Sequence, residues 1–158
     1  MKIMWFCIPA FGHTNPTIEV VRELVRRGHE VRYYSFEMFR EKIIDTGAEY
    51  IACDEYLMKP DRKLEEALKR SSTTAMSLNA IETTIRMNDR LTKDVTEYQP
   101  DLIVSDSVCF WGKLLAEKYQ IPLVCSTTTF AFNQYSSRYM KYSFHEICDT
   151  ILGSGKVK

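Results

Sequence analysis

The stretch IMWFCIPAFGHTNPTIEVVRELVRRGHEVRYYS, residues 3–35, decides the fold. Ile3 to Ile8 is an unbroken apolar run rather than an alternating one, the pattern of a central parallel strand covered on both faces. Pro9 to Thr14 breaks the run, and Asn15 followed by Pro16 reads as an N-cap with proline at the first helical position. Ile18, Val21, Leu24 and Val25 then recur at helical spacing, with Glu19, Arg22, Glu23, Arg26 and Arg27 on the opposite face and Gly28 as the stop. The unit repeats: Val31 to Ser35 reads as a strand, Glu37 to Thr46 as a helix closed by Gly47, and Glu49 to Cys53 as a third strand. This alternation predicts right-handed β-α-β crossovers and an α/β, Rossmann-like parallel sheet with helices on both faces.

Outward from that core, the mixed charges of Asp54 to Lys69 predict a solvated loop with a short helix. Ala75 to Tyr98 has helical spacing, and Leu78, Ile81, Ile85, Leu91, Val95 and Tyr98 read as one core-facing stripe that Asn88 interrupts. After Pro100, Leu102 to Ser105 reads as a fourth strand, Ser107 to Tyr119 as a helix, and Ile121 to Ser126 as a fifth strand. A polar, aromatic loop follows from Thr127 to Asn133, and a last helix carries Met140, Phe144, Ile147 and Ile151. The whole of 1–158 reads as a single domain, without repeats or low-complexity tracts.

Composition narrows the partners. The 158 residues hold 21 Lys plus Arg against 21 Asp plus Glu, with 45% hydrophobic residues, which suits a packed core. A neutral balance argues against nucleic acid or an anionic membrane surface, both of which draw on surplus Lys and Arg. The expected partner is small or uncharged. Cys7, Cys53, Cys109, Cys125 and Cys148 form an odd set with no C-x-x-C pair and no histidine at ligand spacing, so no metal site or disulfide framework is expected; reduced thiols in a cytoplasm fit better. The apolar run at the start is too short to span a membrane and lacks a cleavage site.

In open α/β sheets ligands gather beyond the carboxyl ends of the strands, where strand order reverses. For an order of 3-2-1-4-5, strands 1 and 4 are neighbours at that reversal, so His13 leaving strand 1 and Asp106 leaving strand 4 are brought face to face. A carboxylate on one imidazole nitrogen fixes the tautomer and stabilises the imidazolium, leaving the other nitrogen to take a proton from a hydroxyl or amine. The competing readings are Asp106 as a helix N-cap and His13 bonded to a loop carbonyl. His29 reads as a turn residue and His145 as exposed. Gly12 is the lone glycine of the first turn, so a pyrophosphate-cradling loop is missing and nicotinamide-dependent chemistry is disfavoured; no nucleophile elbow is present. Ser126, Thr127, Phe130, Phe132 and Asn133 leave strand 5 at the same edge, as either an apolar wall with a few polar contacts or a plain surface loop.

One ordered series of landmarks is more specific. The segment Ile8-Pro9-Ala10-Phe11-Gly12-His13-Thr14-Asn15-Pro16-Thr17, followed by Leu24 and Arg27-Gly28-His29-Glu30-Val31, resembles the amino-terminal signature of the UDP-dependent glycosyltransferases of the GT-B fold. The resemblance is to their bacterial macrolide and natural-product branch. Phe39, Gly47-Ala48, Pro100-Asp101-Leu102-Ile103-Val104-Ser105-Asp106 and Ile121-Pro122 extend it to about Asn133. It implies inverting transfer of a sugar from a nucleotide diphosphate, a UDP-sugar co-substrate, to a hydroxyl of a small, largely apolar acceptor. His13 then matches the family's general base and Asp106 its carboxylate partner. Phe11, Gly12, Asn88, Ser126, Thr127 and Phe130 fall in the segments that bound the acceptor pocket. Against that family, the chain is expected to be an unfinished acceptor domain without the nucleotide-sugar domain. It should then be inactive alone and prone to self-association through an open sheet edge. The alternative is a non-catalytic small-molecule-binding or partner module on the same fold.

Overall fold

The computed structural model describes residues 1–56 and 73–128, with backbone only over 73–80. The chain divides into two units, Met1–Leu57 with Thr84–Thr128 and Met58–Thr83 with Thr129–Lys158, and the sheet belongs to the first. Strands β1 (Lys2–Phe6), β2 (Glu30–Ser35), β3 (Glu49–Ala52), β4 (Leu102–Asp106) and β5 (Leu123–Ser126) form one sheet ordered β3-β2-β1-β4-β5, parallel throughout. That is the expected order, with its reversal between β1 and β4.

Alternation along β1 explains its unbroken apolar sequence. Met4 and Phe6 join Tyr34, Ile103, Leu91, Val95, Trp111 and Leu115 in one buried cluster; Ile3, Trp5 and Cys7 join Ile18, Val21, Tyr33, Phe39, Ile43 and Val104 in another. Both faces of the strand are therefore covered, by α4 (Thr73–Tyr98) and α5 (Phe110–Tyr119) on one side and by α2 (Ile18–Arg26) and α3 (Arg40–Ile44) on the other. Among the described residues β5 is an edge strand, with Leu123 and Val124 41% and 50% exposed. Gly28 and Gly47 stop α2 and α3 at φ of 83° and 85°, the left-handed backbone that glycine adopts without strain.

Several local expectations are corrected. Asn15 is not an N-cap: a first helix, α1 (Phe11–Thr14), already precedes it, and Asn15 has helical φ and ψ of −57° and −42° with no side-chain cap bond. Its Oδ1 accepts from Lys42 Nζ at 3.0 Å instead. Pro16 cannot donate to the Gly12 carbonyl, and Asn15–Thr17 tightens into a 3-10 turn before α2 resumes. The segment from Glu37 likewise splits into a 3-10 turn, Glu37–Phe39, and α3. Strand β5 begins two residues later than the sequence pattern suggests, after Gln120 in the left-handed region and Pro122, which has no amide hydrogen to give.

The stripe on α4 is also different. Met87, Leu91, Val95 and Tyr98 are buried, whereas Ile85 is 65% exposed and Ile81 48%. At about 100° per residue, Ile85 sits some 120° around the helix from Leu91, off the face that Met87 completes. Of the Asp54 to Lys69 segment only its start is described, a 3-10 turn over Asp54–Tyr56; the rest of it, the Leu78 side chain, Phe130, Phe132, Asn133 and the expected helix with Met140 to Ile151 lie outside the described residues.

Candidate active site

Strands β1 and β4 pair up to Phe6 and Ser105, so the residues that follow each strand leave the sheet side by side. After β1 the chain passes Pro9 to Ala10, extended at φ −134° and ψ 131°, whose carbonyl accepts from the amides of His13 and Thr14 at 3.0 and 2.9 Å. That turn sets His13 in α1, with Thr14 buried beneath it and bonded back to the Ile8 carbonyl at 3.4 Å.

Asp106 closes β4 and is 1% exposed. Helix α5 begins only at Phe110 with Cys109 as its N-cap, so the reading of Asp106 as that helix's cap is wrong. Its backbone carbonyl and Oδ1 accept the amides of Cys109 and Val108 at 3.0 and 2.9 Å, which locks the carboxylate in place. Oδ2 is left to His13 Nδ1, at 2.7 Å. A carboxylate oxygen can only accept, so Nδ1 carries the proton and Nε2 of the neutral ring keeps its lone pair. His13 is 18% exposed at its side chain, against 1% for Asp106, so the imidazole is reachable from solvent while its partner is enclosed.

The remaining predicted positions divide. Phe11 is 54% exposed, its ring edge-on to Phe39 at 5.0 Å with Lys42 Nζ 5.7 Å from its centroid, and Gly12 has open space where a side chain would project. Both precede His13 in α1. Ser126 pairs with Asp106 across β4 and β5, and Thr127 follows it, exposed. Asn88 is exposed on α4 and bonds to Asp89 at 3.2 Å; no described contact joins it to His13 or Asp106. An open depression lined by Glu37, Tyr50, Asp54, Glu55 and Arg90 contains neither of the paired residues. Sequence reasoning passed over Thr128, whose Oγ1 lies 3.1 Å from His13 Nδ1. The signal for it was the run Thr127-Thr128-Thr129 directly after β5.

Cysteine chemistry competes poorly here. Burial pushes the Cys7 thiol up to about 11 and the Cys53 thiol up to about 12, and it holds Cys109 well above its ordinary value. All three are buried, while Cys125 is exposed. At pH 8, iodoacetamide should therefore modify Cys125 at least ~10²-fold faster than Cys7, Cys53 or Cys109, as read by peptide mass spectrometry. Rapid labelling of Cys7 in the folded chain would overturn this. Among the described residues no cluster of three His, Cys, Asp or Glu could hold a metal, and no helix is long and apolar enough to cross a membrane. His29 sits 3.3 Å from the terminal amine, and His145 lies outside the described residues.

No family model matches the chain. It is 32% identical over 127 residues to an NDP-glycosyltransferase (YjiC) of Bacillus subtilis, covering 80% of this chain and 32% of that protein. It is also 32% identical over 140 residues to the demethyllactenocin mycarosyltransferase of Streptomyces fradiae, covering 84% and 30%. The fold is shared with CalG4, the calicheamicin glycosyltransferase, at a TM-score of 0.67 and 24% identity over 97% of this chain and 42% of that one. The chain spans about a third of the length of the curated relatives it matches. Over that span its relatives are glycosyltransferases of the macrolide and natural-product type, and its fold is the one that GT-B glycosyltransferases share.

Proposed function

We propose that this chain supplies the acceptor side and the general base of an inverting glycosyltransferase. The observation that carries the reading is the 2.7 Å contact between His13 Nδ1 and Asp106 Oδ2 at the reversal of strand order. Nε2 takes the proton of the acceptor hydroxyl as its oxygen attacks the anomeric carbon. The new carbon–oxygen bond forms on the face opposite the nucleotide diphosphate, which departs with the electron pair of the old one. Configuration at the anomeric carbon inverts and no covalent enzyme intermediate is needed. Asp106 stabilises the imidazolium that results, and general-base assistance of this kind is typically worth ~10²- to 10⁴-fold.

The acceptor is a small, largely apolar molecule with a free hydroxyl, held near Phe11, Gly12, Ser126 and Thr127. The donor is a nucleotide-diphosphate sugar, a UDP-sugar first among them, bound chiefly by a second domain outside these residues. Alone, the chain should yield no product from a nucleotide-sugar panel. Mixed with a separately expressed donor-binding half of a two-domain relative, it should transfer sugar to hydroxyl acceptors, with product read by mass spectrometry. Tight acceptor binding without recovered transfer would overturn the catalytic reading in favour of a non-catalytic binding module. Robust turnover by the chain alone would overturn the assignment of the donor site to a second domain.

A further inference from the structure

The general-base reading of His13 leaves a mechanical question about its ring. One hydrogen bond fixes the Nδ1 to Oδ2 separation of 2.7 Å but lets the imidazole rock about that contact. A second oxygen, Thr128 Oγ1, lies 3.1 Å from the same nitrogen. Were the threonine hydroxyl to donate to Nδ1, that nitrogen would be unprotonated, and its lone pair would face the carboxylate at 2.7 Å, a repulsive arrangement. The Nδ1 hydrogen is therefore shared between the two oxygens, and Thr128 accepts.

The two acceptors come from different strand ends. Asp106 is held by β4 and the Val108 amide. Thr128 follows β5, which is tied to the segment after β4 by the Ser107 amide on the Ser126 carbonyl at 2.9 Å. From this geometry we infer that Thr128 is a positioning residue for His13, the second point that fixes the ring with its proton on Nδ1 and its lone pair on Nε2. Thr128 acts through His13 and needs no contact with substrate.

The test is the imidazole nitrogen spectrum of the 158-residue chain carrying 15N-histidine. Thr128→Val keeps the shape and removes the hydroxyl; Thr128→Ser keeps the hydroxyl. In Thr128→Val the minor His13 tautomer should rise roughly 2- to 10-fold, the worth of one net hydrogen bond, and the Nδ1 signal should broaden. Thr128→Ser should restore the parent spectrum, with backbone amide spectra confirming that all variants are folded. A parent-like His13 spectrum in Thr128→Val overturns the inference. Asp106→Asn separates the two claims. If it redistributes the tautomers while Thr128→Val is silent, only the role of Thr128 fails; if Asp106→Asn is silent as well, the general-base reading fails with it.

Discussion

Replacing His13 with alanine should lower kcat by about 10²- to 10⁴-fold in a transfer-competent assembly of this chain, while acceptor KM changes little. The asymmetry follows from where the imidazole acts in the proposed mechanism. Its lone pair is needed only as the acceptor oxygen loses its proton, so its loss falls on the transition state rather than on ground-state binding. On the proposed reading, hydrophobic contact with the acceptor falls to neighbours such as Phe11, which is exposed beside it. The diagnostic acceptor is an ordinary alcohol, which stays protonated near neutral pH and needs the base. A phenol with a low pKa ionises unaided and should be transferred with a much smaller deficit. Full activity of His13→Ala on an aliphatic alcohol would remove the base from the mechanism.

Gly112→Ala should destabilise the fold by roughly 2 kcal/mol or more and lower Tm by about 5 °C or more. An alanine inside an exposed helix would ordinarily gain ~0.5–1 kcal/mol over glycine, so the sign is decided by what the methyl meets. A Cβ at Gly112 would stand 2.7 Å from Ser105 Cβ and 2.9 Å from Phe6 Cδ2, with Ser105 Oγ nearer still. Neither neighbour can yield. Ser105 is a strand residue whose hydroxyl holds the Cys109 carbonyl at 2.9 Å, and the Phe6 ring packs on Tyr34 with centroids 4.8 Å apart. Helix α5 must then lift from the sheet, which also disturbs Asp106, the residue after Ser105. Thermal unfolding of the variant checks this, and an unchanged or raised Tm would refute it.

The sequence read most clearly where one physical constraint acted alone. The unbroken apolar run of β1 suits a strand covered on both faces, which it is, and Gly28 and Gly47 took the positive φ that their places after helices favour. The β-α-β alternation suggested a Rossmann-like strand order, and for that order His13 and Asp106 could face each other, as they do in the structure. Where two constraints met, the reading failed. Asn15-Pro16 has the composition of a helix start, but the helix was already under way at Phe11, and proline produced a 3-10 turn instead. Ile85 has the right side chain for a core stripe and the wrong angle. Thr128 was legible only as one of three threonines, because its partner nitrogen is 115 residues away in the chain.

That separation has a further consequence for how the site comes into being. His13 and Asp106 are 93 residues apart, and only the crossover that sets β4 against β1 joins them. No nascent or partly folded segment can hold the ring in its working tautomer, however well its own helices have formed. The proposed base is thus assembled by topology: a chain that has not closed its central strand pair carries a histidine without its carboxylate, and the tautomer signal of that one residue reports on the pairing of β1 with β4.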